Sequence, residues 1–411
     1  MSELNLASIN ANELLVLLGI IGVVGIIGGW FSEKIKVPDV VIYLLAGILA
    51  GPFFFNIINI GSFPVANELI ISFGAAFILY EGGREVKLKV LDEVKITVGL
   101  LVTVGVVISM IIVALGTYSI FKIPFTRCLL LGAIIASTDP ASLIPVFSQV
   151  DIIRRLKQTV ISESAFNDAV GAILVTTLIS ITVSNEFDLG NSIIELFIMI
   201  IVGLLVGLGI GFILEALSSE KAYGIFREFG PILSVLEVIF AYELSEYLGG
   251  SGYMAVFIAG LISGNRARFG LWIPEESYRS AMHFRENIAT LSRMAIFIVL
   301  GTQVNLSILF TYAPYAILVV AILIFIARPI AVFVCTLPDR KAKWKKKEIL
   351  FMMWVRETGV IPAALSGIIV SMRIPDYEII SSVVFMTILV TLLLQGSTTK
   401  WVAKKLNVLE K

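Results

Sequence analysis

The sequence predicts an all-α polytopic membrane protein, and three observations lead there. Of 411 residues, 58% are hydrophobic and only 15% charged, where a soluble domain has about a quarter of its residues charged, and the mean hydropathy is +0.96. Apolar runs long enough to cross hydrocarbon, about 20 residues each, recur along the whole chain. Lysines and arginines alternate between the connecting loops as a membrane's two faces require.

Thirteen apolar segments can be read, near 13–31, 38–58, 66–81, 96–121, 126–148, 158–184, 191–217, 230–248, 252–264, 287–304, 308–336, 348–371 and 377–399. The polar start, Met1 to Asn12, has no basic stretch or small-residue cleavage site, so the first segment reads as a retained span. With that end outside, 25 of the 31 basic residues fall in loops on one side. The outer loops hold only Lys122, Arg127 and Arg373, while Arg293, Arg328 and Arg356 lie within spans. This alternation places the N-terminus outside and the C-terminus inside, with an odd number of spans. The six basic residues between Arg340 and Lys347 serve that topology and can meet anionic lipid. Few residues follow 399, so the whole chain, 1–411, reads as one membrane transport domain without a soluble C-terminal domain.

Formal net charge is zero, which gives no reason to expect nucleic acid as a partner. A single histidine, His283, and two separated cysteines, Cys128 and Cys335, are too few soft ligands for haem, zinc or iron–sulfur chemistry. No Gly-x-Ser-x-Gly or HExxH motif occurs, so a membrane hydrolase lacks its nucleophile and base. The chain therefore reads as a non-enzyme without a cofactor.

The segments divide into six, a linking seventh and six more: a first repeat at about 13–184, a linking helix at about 191–217 and a second repeat at about 230–399. Segment five is interrupted by Thr138-Asp139-Pro140, with Pro145 beyond, and its counterpart, segment twelve, by Gly359 and Pro362. Matching interruptions in two halves of opposite topology mark a substrate site near the midplane.

An ionisable group in hydrocarbon costs about 2.5–3.5 kcal/mol at a helix centre, so each needs a role or a partner. Asp139 precedes a proline that removes an amide donor and frees backbone carbonyls for a cation; the ordinary alternative is a cap on the following half-helix. Ser164 and Asp168 are four apart and share a helical stripe, with Glu163 and Asn167 on the adjacent one. Their oxygens suit an alkali cation or a proton. Glu163 is a structural ion-pair member, with Arg328 or Arg293 to neutralise it. Arg356 and Glu357 fit the cytoplasmic end of their span, and Glu81 the end of the third; Glu237 and Glu243 read as less deep or less clustered. Gly203, Gly207 and Gly211 repeat every four residues, a surface for close approach by a helix of the same chain or of a second copy.

The stretches Leu79-Tyr80-Glu81-Gly82-Gly83, Thr138-Asp139-Pro140-Ala141-Ser142, Glu163-Ser164-Ala165-Phe166-Asn167-Asp168, Ser251-Gly252-Tyr253-Met254, Ala327-Arg328-Pro329 and Gly359-Val360-Ile361-Pro362 run in order through the chain. Together they resemble the cation:proton antiporter superfamily, in particular its NhaP-type electroneutral sodium/proton antiporters. The resemblance implies thirteen spans in two inverted six-helix repeats, two unwound helices that cross beside the ion (the NhaA-like antiporter fold), and a homodimer. It implies that Asp168 exchanges proton for cation, that Asp139, Ser164 and the Thr138 carbonyl hold Na+ beside it, and that Glu81 reaches the ion directly or through water. Asn167 stands where electrogenic relatives have a second Asp, which implies one-for-one exchange. Glu163 with Arg328 looks like the family's structural ion pair, and Arg293 like a second membrane arginine. One departure is clear: Arg356-Glu357-Thr358 precedes Gly359 where many relatives read Gly-Pro-Arg-Gly, so an arginine is displaced and a Glu added, as possible modulators. The expected function is exchange of Na+ (or Li+) for H+. The alternatives are K+/H+ exchange within the superfamily and, more distantly, sodium-coupled symport of an organic anion.

Overall fold

The computed structural model describes residues 2–35, 37–138, 147, 151–184, 189–220, 224–272 and 275–410. Helix dominates them: α1 (Ser2–Ile35), α2 (Asp39–Ala50), α3 (Pro64–Glu85), α4 (Leu88–Phe121), α5 (Phe125–Ala136), α6 (Arg154–Ser184), α7 (Leu189–Ser218), α8 (Gly230–Tyr247), α9 (Gly252–Gly264), α10 (Glu275–Thr302), α11 (Leu306–Thr336), α12 (Lys346–Trp354), α13 (Val360–Ser371) and α14 (Tyr377–Leu406). One isolated antiparallel bridge joins Ile152 to Leu409. Segments of α1, α3, α4, α6, α7, α11 and α14 are long and apolar enough to cross a membrane, and α2, α5, α9 and α13 are shorter apolar helices.

Sequence boundaries and helix boundaries part where backbone chemistry intervenes. The expected second segment, 38–58, is helical only to Ala50, because Gly51-Pro52 turns the chain and Pro52 cannot continue the hydrogen-bond ladder. The interruption expected at Gly359 and Pro362 runs instead from Val355 to Gly359. Pro362 lies in the first turn of α13, where amides have no intrahelical acceptor and a missing N–H costs nothing. Three long helices each contain a π-helical turn: Leu101–Gly105 in α4, Leu323–Ala327 in α11 and Thr391–Gly396 in α14.

Helices α1, α2, α3, α7, α8, α9 and α10 pack largely on one another, as do α4, α5, α6 and α11 to α14; α3 with α6, α6 with α9, and α10 with α13 join the two groups. Glycine sets the tightest contact. A Cβ at Gly260 of α9 would lie 2.0 Å from the Tyr80 carbonyl oxygen, and one at Gly83 of α3 2.2 Å from that of Phe257. Without side chains there, the two backbones touch. Gly260→Ala must push α3 and α9 apart, at a cost of about 1–3 kcal/mol, which a lowered melting temperature in detergent will register. Gly207 of α7 faces the Ala255 carbonyl of α9 at 2.4 Å from its Cβ position, so the small-residue stripe of α7 is filled within the chain.

Candidate ion-binding site

Helix α5 ends at Ala136, and the backbone turns extended at Ser137 (φ −70°, ψ 147°). The side chains of α6 hold this departing strand. Asn167 accepts from the Thr138 amide through Oδ1 at 3.1 Å and donates through Nδ2 to Thr138 Oγ1 at 2.8 Å. Thr138 Oγ1 lies 2.8 Å from Ser164 Oγ, and Ser137 Oγ donates to Asp168 Oδ1. All five residues are buried, Asp168 to 1% exposure. Gly171, one turn along α6, leaves room for Ser137, whose Cβ would sit 3.3 Å from a Cβ placed there. The stripe read from the sequence, Ser164 with Asp168, therefore faces the break with Asn167 beside it. Asp139, Pro140 and Pro145 lie outside the described residues.

The second break crosses the first through one side chain. Arg356, 1% exposed, donates from Nη2 to the carbonyls of Ile135 (2.6 Å) and Ala136 (2.8 Å), the last residues of α5. A helix's final carbonyls lack amide partners and sum to a partial negative charge, so a buried guanidinium there satisfies both hydrogen bonding and dipole. The expectation that Arg356 and Glu357 sit at the cytoplasmic end of their span is corrected: both are buried in the break itself. The displaced arginine thus caps the half-helix that leads to Ser137 and Thr138. Arg356→Met removes both bonds and costs about 1.5–3 kcal/mol, as for hydrogen bonds from a charged donor. Arg356→Lys restores part of that, a ranking that thermal denaturation in detergent checks.

Glu163 finds its partner in Arg328, with both guanidinium Nη atoms on its carboxylate. Arg328 also donates from Nε to the Met352 carbonyl (3.0 Å) and from Nη2 to that of Val355 (3.2 Å), so the pair caps α12 as well. The π-helical turn of α14 faces the same break: Gln395 donates to the Trp354 carbonyl (2.6 Å), and Thr391 Oγ1 accepts from the Thr358 amide (3.1 Å). Arg293 belongs elsewhere, 3.3 Å from Asp39 at the start of α2.

Glu81 keeps different company from Ser137, Thr138, Ser164, Asn167 and Asp168. Arg84 Nη1 donates to both its oxygens (2.8 and 2.9 Å), and Arg285 Nε lies 3.3 Å away. Close by, Tyr80 donates to Glu237 at 2.8 Å, and Glu237 is buried rather than shallow. The sequence reading missed Glu215, Glu237 and Arg285 as a group; the signal available was that none of them has a partner of opposite charge one turn away on its own helix.

The extended turn where α5 ends, facing the break between α12 and α13 with a buried carboxylate and hydroxyls beside it, defines a secondary transporter for a small cation. The chain belongs to the sodium/hydrogen exchanger, transmembrane family, which it matches over residues 21–405. It is 30% identical to Na(+)/H(+) antiporter 1 of Methanocaldococcus jannaschii, covering 96% of both chains. The K(+)/H(+) antiporter NhaP of Alkalimonas amylolytica is 29% identical over 97% of this chain, which spans 67% of that protein; the chain spans 64% of the K(+)/H(+) antiporter NhaP2 of Shewanella oneidensis. The structure of the sodium proton antiporter MjNhaP1 from Methanocaldococcus jannaschii superposes with a TM-score of 0.82 at 29% identity, over 96% of this chain and 99% of that one.

Proposed function

We propose that this chain exchanges Na+ or Li+ for H+ across the plasma membrane, one for one, by competition of cation and proton for Asp168. The observation that carries this reading is a carboxylate buried to 1% exposure, bonded to Ser137 and placed at the end of a broken helix. A site that holds either a proton or a monovalent cation couples the two flows, provided that only the neutralised site crosses. An empty, charged carboxylate is expensive to carry through low dielectric, which suppresses uncoupled return. Asn167 contributes hydrogen bonds to Thr138 without a titrating charge, which supports an electroneutral cycle. Asp139, Ser164 and the Thr138 carbonyl complete the Na+ ligands in this reading, and Glu81 joins them when released from Arg84. Two inverted repeats of six spans around α7 are supported by the two breaks and by π-helical turns at matching places in α4 and α11. The N-terminus lies outside, the C-terminus inside, and the protein works as a homodimer.

Exchange of K+ is the second reading, favoured by the K(+)/H(+) names of relatives as similar as 29%. The sodium reading is favoured by the Na(+)/H(+) antiporter 1 of Methanocaldococcus jannaschii, 30% identical over 96% of both chains. Proton-coupled exchange in proteoliposomes with Na+, Li+ and K+ in turn, and with membrane potential clamped or free, decides both points. Activity with Na+ and Li+ that ignores the potential supports the proposal; activity with K+ alone overturns it in favour of the rival.

A further inference from the structure

A second group of buried charges lies among α3, α7, α8 and α10, and the exchange cycle above makes no use of it. A small pocket there is lined by Glu215, Ser218, Ser234, Glu237, Arg266 and Arg285. Three of these side chains hold a buried polar atom with no hydrogen-bond partner among the described residues: Oε2 of Glu215, Oε1 of Glu237 and Nη2 of Arg285. The residues themselves are 5%, 2% and 3% exposed. Buried polar atoms are nearly always satisfied, so three around one pocket point to something exchanged there.

We propose that Glu215 and Glu237, which line one pocket with Arg266 and Arg285, form a second proton-binding site, separate from Asp168, through which the helical scaffold responds to pH. The charges that face it are Tyr80, Glu81 and Arg84 from α3, Glu215 from α7, Glu237 from α8, Arg266 after α9 and Arg285 from α10. Arg84 is spent on Glu81, to which it gives two hydrogen bonds, and on Ser263 of α9 at 3.3 Å. Arg266 and Arg285 line the pocket with the two carboxylates. Arg285 Nε lies 3.3 Å from Glu81, while its Nη2, like one oxygen of each carboxylate, has no hydrogen-bond partner among the described residues. Two like charges that line one small buried pocket repel, and a proton on either carboxylate relieves that. A metal cation is disfavoured because the guanidinium already stands in the pocket, and an anion because two carboxylates line it. The hydroxyls of Ser218 and Ser234 are turned to the carbonyls of Glu215 (3.1 Å) and Pro231 (2.6 Å), so neither donates into the pocket.

Loss of the proton leaves both carboxylates to draw Arg285 off Glu81; its gain returns Arg285 to Glu81. Helix α3 transmits the change, since it packs on α6, and Gln158 of α6 donates to the Glu85 carbonyl at 3.4 Å. The influence on exchange rests on the antiport reading, whereas the site itself does not. Infrared difference spectra of purified protein across a pH step test the site directly. A carboxylic C=O band that titrates in wild type and persists in Asp168→Asn is expected to vanish in Glu237→Gln or Glu215→Gln, and to shift in Tyr80→Phe, which removes the donor to Glu237. A band unchanged in all three variants overturns the proposal, whatever the protein transports. In proteoliposomes with saturating cation, the two Gln variants are expected to move the midpoint of the pH profile by about one unit, measured on the side where α3 ends. Neither residue is among the proposed Na+ ligands, so exchange itself should persist in both variants; profiles that superimpose on wild type overturn the regulatory role.

Discussion

Asp168→Asn is expected to reduce proton-coupled cation exchange to the level of empty liposomes while leaving the protein folded. Asparagine keeps the size of the carboxylate and an oxygen for the Ser137 hydroxyl, so the bond that ties α6 to the extended strand survives. What it loses is the ability to hold a proton in one half of the cycle and a cation in the other. Because coupling comes from competition at one group, no residual fraction of exchange should persist at any pH or cation concentration. Asp168→Glu separates charge from position: it retains a titratable carboxyl but pushes it one methylene into a site buried to 1% exposure. Partial exchange with an altered KM is expected there. Exchange by Asp168→Asn above background, with elution and melting unchanged, would place the transported charge elsewhere, and Asp139 would be the next residue to test.

What the sequence disclosed depended on how local each signal is. Hydropathy and the alternation of basic loops report on stretches of about 20 residues, so the membrane class and the run of helices were legible. The stripe of Ser164 and Asp168 follows from helical periodicity, and Glu163 had to find an arginine because a lone buried carboxylate is untenable. Arg356 was misplaced for a different reason. Its partners are the carbonyls of Ile135 and Ala136, more than two hundred positions away, and carbonyls have no signature in sequence. The glycines at 203, 207 and 211 announced a close contact but not with whom; the answer, α9, required the packed structure. Glu237 and Arg285 were not read together because they lie on different helices, and only the convergence of α3, α7, α8 and α10 makes them a group.

Replacing either member of the Glu163–Arg328 pair is expected to cost about 3–5 kcal/mol, the usual loss when one buried partner is left with an uncompensated charge. The two replacements should not be equal. Glu163→Gln leaves Arg328 with the carbonyls of Met352 and Val355, whereas Arg328→Met strands the Glu163 carboxylate and both carbonyls at once. Arg328→Met should therefore melt at the lower temperature and lose more exchange, since the end of α12 opens beside the break that supplies Arg356 to α5. The double replacement Glu163→Leu with Arg328→Met removes the unpaired charge and should melt above the single Arg328→Met, although the two carbonyls remain unserved. A charge swap, Glu163→Arg with Arg328→Glu, discriminates most sharply. If the pair served only to cancel charge, the swap would restore stability. Here it would set a carboxylate against the carbonyls of Met352 and Val355, so the swapped protein should melt no higher than Arg328→Met, and recovery to wild-type stability would show that capping of α12 is not what Arg328 contributes.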